Sequence, residues 1–170
     1  MRNILFVLLS SAFLFTQACT NGKSNNTEKD SNATMAGTKT NDSKTVVIHL
    51  TKAQFLEKVW NFEASPDKWV YLGDKPCIID FYADWCRPCK IAGPILEELA
   101  KEYNGQIYVY KIDTEKEREL AGAFGIQSIP AFLNCPMEGQ PQMSAGIANS
   151  PEETKKMFKG IIDDFLLKKK

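Results

Sequence analysis

The apolar and polar positions divide this chain into three stretches of different character. Ile4 to Phe15 is a mostly apolar run behind a single basic residue, Arg2; it is too short to cross a bilayer as a helix and has the length of a signal-peptide core. Thr20 to Lys44, "TNGKSNNTEKDSNATMAGTKTNDSK", is almost wholly polar and cannot bury enough apolar surface to offset the entropy of ordering it. Periodic patterning begins near Val46. "VVIHL" is β-branched and predicts a strand; Thr51, with Gln54 three residues on, predicts the capping box of a helix carrying Phe55, Val59, Trp60 and Phe62 to about Glu63. "PCIIDFYA" has the unbroken apolarity of a strand covered on both faces. A helix follows from about Arg87 to Tyr103, with a kink expected at Gly93 and Pro94, because proline removes a backbone donor and crowds the preceding turn.

"QIYVYKI" then predicts a strand, "EKERELAGAFG" a helix ending at Gly125, and "PAFLNC" a further strand. "QPQMSAGI" predicts an edge strand, where Pro141 is tolerated. Ser150, Pro151 and Glu153 open a last helix as cap, first helical residue and capping-box partner, and it closes on Lys168 to Lys170. The order β-α-β-α-β-α-β-β-α predicts one α/β sheet with helices on both faces. The expected organisation is a signal peptide over residues 1–18, a flexible polar linker over 19–45 and one folded domain over 46–170. The segment "FTQAC" admits two cleavages. An ordinary cut would follow Ala18; alternatively Cys19 becomes a lipid-bearing N-terminus, although Thr16 stands where a lipoprotein box usually carries Leu.

Composition narrows the classes. With 44% hydrophobic and 25% charged residues, the chain is neither disordered throughout nor a bundle of membrane spans. Lys and Arg number 21 and Asp and Glu also 21, so no basic excess points to nucleic acid.

The candidate chemistry lies in "FYADWCRPCK", Phe81 to Lys90. A structural zinc site needs four ligands; this chain has one Cys-X-X-Cys and a single histidine, His49, on a different predicted strand. A static bridge over two intervening residues would constrain the unfolded chain little. Reversible thiol chemistry fits better. Cys86 falls at a strand-to-helix transition, where unpaired N–H groups and the positive end of a helix dipole stabilise a thiolate. Cys89 lies one turn further in, expected to be more sheltered and suited to resolve a mixed disulfide on Cys86.

"DFYADWCRPCK", with "PCIID" before it and "GIQSIP" after, resembles the thioredoxin family, and the agreement in element order covers roughly Val46 to Lys170. The resemblance implies a thioredoxin fold: a mixed sheet of about five strands flanked by four helices in three layers. It makes Cys86 the nucleophile, Cys89 the resolving thiol, and the two a reversible disulfide. It makes Asp80 the buried carboxylate that exchanges a proton with the resolving cysteine, and an Asp amid Ile78, Ile79 and Phe81 should resist ionising. Lys111 matches a position that often faces that carboxylate. Pro130 matches a proline preceded by a cis bond. Trp85, Arg87, Pro88, Ile129, Pro130 and Gly146 would line the substrate groove around Cys86.

The resemblance further implies a protein-disulfide reductase that needs no cofactor or metal and works as a monomer; with the export signal, its substrates would be disulfide-containing or dithiol proteins of the periplasm or cell envelope. A membrane electron donor would recharge it, and the membrane would be met only through a lipid on Cys19. Arg87 departs from the family's common Gly-Pro pair; a cation beside Cys86 favours its thiolate and makes the disulfide more oxidising. A periplasmic oxidase or isomerase, an apocytochrome c thiol reductase, and a tethered adaptor or chaperone without redox chemistry are the alternatives. Cys77 and Cys135 fall on adjacent central strands, expected as buried thiols packing like small apolar residues rather than as a second redox pair.

Overall fold

The computed structural model describes residues 47–169. The expected signal peptide and linker, with Cys19, lie outside the described residues. Five strands, β1 (Ile48–His49), β2 (Cys77–Tyr82), β3 (Tyr108–Asp113), β4 (Ala131–Cys135) and β5 (Gln142–Ala145), form one sheet in the order β1-β3-β2-β4-β5. β3 runs parallel to both β1 and β2, while β4 is antiparallel to both β2 and β5. The helices are α1 (Lys52–Lys58), α2 (Cys89–Glu102), α3 (Arg118–Ala123) and α4 (Pro151–Gly160), the last continuing as a π-helical stretch over Ile161–Leu166.

β2 is central and buried, and side chains alternate between the two faces of a strand. Ile78 faces a core shared with Ala92, Leu96 and Leu99 of α2, Phe132 of β4, and Phe158 and Ile162. Cys77, Ile79 and Phe81 face the other core, against Phe55 and Val59, Leu120 of α3, Tyr110 and Ile112. Each fully buried Phe or Leu contributes about 1.5–3 kcal/mol, so two such cores clamp β2 in place. Asp80 has the parity of Ile78 and therefore lies on the α2 side of the sheet.

Local signals set most helix ends. At α1 the Thr51 side chain accepts from the Gln54 N–H while the Gln54 side chain accepts from the Thr51 N–H, the full capping box. Ser150 Oγ accepts from the Glu153 N–H at 3.1 Å, with Pro151 opening α4. Gly125 takes a positive φ of 59° just beyond α3, a backbone that side-chain-bearing residues rarely adopt.

Helix boundaries depart from the expectations at α1, α2 and α3. α1 stops at Lys58 instead of reaching Glu63, because the chain turns to build an aromatic cluster: Trp60 packs on Phe62 and Trp69 at 5.7 and 5.1 Å, and Phe62 meets Phe124 of the α3 end edge-on at 6.3 Å. The Leu72 N–H takes the Val59 carbonyl that a continuing helix would have used. α2 begins at Cys89 rather than Arg87, with Pro88 as its N-cap, and runs through Pro94 to Glu102. α3 covers only six residues, Arg118–Ala123, since the turn before it is held by Asp113 Oδ1 accepting from the Glu115 N–H at 3.0 Å.

Candidate active site

The end of β2 and the start of α2 hold the two cysteines. The Ala83 carbonyl accepts from the Cys86 N–H at 3.1 Å, which turns the chain from strand to helix. Cys86 and Cys89 are bonded, with sulfurs 2.03 Å and Cα atoms 5.3 Å apart. The Cys89 N–H, the first of α2, donates to Cys86 Sγ at 3.2 Å. When the pair is reduced, that donor and the helix N-terminus favour negative charge on Cys86. Whole-residue exposure does not separate the two: Cys86 is 3% exposed and Cys89 5%, so the expected extra shelter of Cys89 is absent. Their difference lies in the hydrogen bond, since α2 starts at Cys89 and its N–H points back to Cys86.

Asp80 is fully buried, and neither carboxylate oxygen has a hydrogen-bond partner among the described residues. Burial lifts its carboxyl from 3.8 to about 7, against the opposing pull of the Lys111 charge. An orphaned buried carboxyl is costly to ionise. It is suited to hold a proton and give it up near neutral pH.

Lys111 is the register partner of Asp80 across β2 and β3. Its Nζ lies 4.8 Å from the Tyr82 ring centre, a cation–π contact that keeps it on this side of the sheet. Gly93 of α2 leaves the room it occupies: a Cβ there would stand 3.1 Å from Lys111 Nζ. The Tyr82 hydroxyl lies 3.3 Å from His49 Nδ1.

The Ile129–Pro130 bond is cis, and the Gly146 N–H donates to the Pro130 carbonyl at 2.9 Å, with Gly146 at φ 77°. Ile129 packs with Tyr82 against Ala83, Cys86 and Cys89. Trp85 is 69% exposed beside them, an unusual position for a large apolar ring. Arg87 and Pro88 are exposed on the turn. Cys86, Cys89 and Ile129 are thus in one cluster, Pro130 and Gly146 are tied to each other, and Asp80 and Lys111 are register partners on β2 and β3.

Tyr82 was not singled out from sequence, and Gly93 was singled out only for a helix kink and not as part of the site. The signal for Tyr82 was its parity with Asp80, two positions on in the same strand. Gly93 follows Cys89 by one helical turn, which places both on one face of α2.

Comparison with known proteins yields one family. The thioredoxin family matches residues 46–159. The thioredoxin of Borreliella burgdorferi is 42% identical over 120 residues, 71% of this chain and 97% of that protein. A chloroplastic M-type thioredoxin of Pisum sativum is 41% identical over 88 residues, 52% of this chain and 51% of its own. A solved chloroplastic thioredoxin z superposes with a TM-score of 0.51 at 23% identity, over 68% of this chain and 93% of the other, a likeness of fold.

Proposed function

Because this chain belongs to the thioredoxin family and is a thiol-disulfide oxidoreductase of the protein-disulfide reductase kind, we propose that it is exported and reduces disulfides of envelope proteins through Cys86 and Cys89. The Cys86 thiolate attacks one sulfur of a substrate disulfide, and the other sulfur leaves as a thiolate that takes up a proton. Cys89 then passes its proton to Asp80 and attacks Cys86 Sγ. The Cys86–Cys89 bond forms, the mixed disulfide breaks, and the second substrate thiol departs. Two electrons have moved from the cysteine pair to the substrate. The observations that support these roles are the Cys89 N–H donating to Cys86 Sγ and, on the same strand that leads into this turn, a buried Asp80 whose oxygens have no hydrogen-bond partner among the described residues.

Trp85, Pro88, Ile129, cis-Pro130 and Gly146 offer a shallow, mostly apolar groove that grips an extended substrate segment without selecting one side chain. The apolar run Ile4 to Phe15 and the polar stretch after it support export, and Cys19 supports a lipid anchor. In an oxidising compartment the pair needs reducing equivalents from a membrane donor.

Cys86→Ser should abolish reduction of a disulfide-linked model protein, and Cys89→Ser should accumulate a mixed disulfide on Cys86; retained activity in Cys86→Ser would favour an adaptor. A reduction potential near about −270 mV supports a reductase, whereas one above about −200 mV would place the protein with disulfide donors. The intact mass of membrane-fraction protein tests the anchor: diacylglycerol on a chain starting at Cys19 supports it, and a soluble chain starting elsewhere rejects it.

A further inference from the structure

Cys77 and Cys135 take no part in this exchange. They stand directly opposite each other on β2 and β4, in an antiparallel register that pairs Cys77 with Cys135. Both are free thiols and wholly buried, in the core that holds Ile79, Phe81, Tyr110 and Leu133. Residues opposed in this way have Cα atoms about 4.5–5.5 Å apart, inside the span of about 4.4–6.8 Å that a disulfide bridges. Their Cβ atoms, about 4.5–5.5 Å apart, need to close by no more than about 1 Å to reach ordinary disulfide spacing. The Cys77 thiol is close enough to act on that of Cys135. Burial first, and then the Cys77 thiol, pushes the Cys135 thiol well above its ordinary 9.0. Tyr71, whose hydroxyl donates to the Lys75 carbonyl at 2.5 Å, packs against this core.

We propose that Cys77 and Cys135 are a second disulfide site, a staple between β2 and β4 that closes while the sheet assembles and is sealed once it has folded. The oxidant is a low-molecular-weight or protein disulfide, RSSR. Either cysteine attacks RSSR, forming a mixed disulfide and releasing one RSH; the facing cysteine attacks that mixed disulfide, forming the Cys77–Cys135 bond and releasing a second RSH. Both thiol protons and two electrons end on the two RSH molecules. Burial sets the timing. In the open chain both residues meet the oxidant, whereas in the folded sheet neither is accessible and burial disfavours the Cys135 thiolate. Cys86 and Cys89, at the end of β2 and the start of α2, remain the exchanging pair.

The test uses the full chain carrying Cys19→Ser, Cys86→Ser and Cys89→Ser, so that Cys77 and Cys135 are the only thiols. The reduced chain is unfolded, refolded in a buffer of reduced and oxidised glutathione, then alkylated in denaturant and weighed. The expected product has lost two hydrogens, carries no alkyl group or glutathione, and melts about 5–15 °C above the reduced form. Reduced protein placed in the same buffer without unfolding should oxidise at least ten-fold more slowly. Two alkylated cysteines after refolding, a stable glutathione adduct, or an oxidised form that melts below the reduced one would overturn the proposal. Should the triple variant fail to fold, the unsubstituted chain refolded in the same way is digested and mapped: a peptide pair linked through Cys77 and Cys135 supports the staple, and its absence overturns it. The buffer supplies the oxidant, so the outcome is independent of where the protein works.

Discussion

Asp80→Asn separates a proton-handling carboxyl from a merely packed one. In the folded chain burial raises the Asp80 carboxyl from 3.8 to about 7, a difference of about 4 kcal/mol between its two protonation states. Below about pH 4 the group is protonated whether the chain is folded or not, and it contributes nothing to pH dependence. Between about pH 4 and pH 7 the unfolded chain has released the proton and the folded chain still holds it. Stability therefore falls as pH rises through this window and levels off above about pH 7. Asparagine cannot ionise, so the variant escapes this loss. It does bury a polar amide in place of a carboxyl whose oxygens have no partner among the described residues; an unsatisfied amide there costs about 1–3 kcal/mol at every pH. The variant should thus be no more stable than the parent near pH 4.5 and more stable by about 1–3 kcal/mol near pH 8.

The assay is guanidinium unfolding of the disulfide form between pH 4.5 and pH 9. With Cys86 and Cys89 bonded, neither contributes a titrating proton, and the difference between parent and variant isolates Asp80. A difference that does not change with pH would refute the raised carboxyl and with it the proton-acceptor role. In turnover the same variant should lose on the order of 10²-fold in rate, with mixed disulfide accumulating because Cys89 has no base.

Three further outcomes follow from the same geometry. Gly93→Ala places a methyl 3.1 Å from Lys111 Nζ; displacing that cation weakens the pull that lowers Asp80, so the pH–rate profile should move to higher pH, and an unmoved profile would detach Lys111 from the site. Arg87→Gly removes the exposed cation beside Cys86 and should make the couple more reducing by at most about 20–30 mV, read by equilibration with glutathione; a shift to a more oxidising potential would contradict the thiolate argument. Phe132→Ala empties a fully buried ring packed edge-on against Phe158 at 4.9 Å and should cost about 3–5 kcal/mol in denaturant unfolding; a loss below about 1 kcal/mol would mean that the α4 layer repacks over β4.

Much of this protein was legible in its sequence because the relevant signals act between near neighbours along the chain. Thr51 with Gln54, Ser150, and Pro151 act within one helical turn, and the structure has the full capping box at α1 and the Ser150 cap with Pro151 at the start of α4. The apolar run Cys77 to Tyr82 identified the central strand, and the expected strand-to-helix placement of Cys86 is where the structure has it, in the turn just before α2. What sequence could not supply depends on residues far apart in the chain. α1 ends early because Trp60 and Phe62 find Trp69 and Phe124, contacts that outweigh any local preference to continue the helix. Equal burial of Cys86 and Cys89 depends on Ala83, Tyr82 and Ile129 closing around both. The height of the Asp80 pKa is set by packing on the α2 side of the sheet and by a Lys111 charge delivered from β3 through strand register. That same register brings Cys77 and Cys135 face to face. Chain-local chemistry determined the elements and the reactive motif; strand pairing and burial, which exist only once distant segments meet, decided the proton affinity and the neighbours of each reactive group.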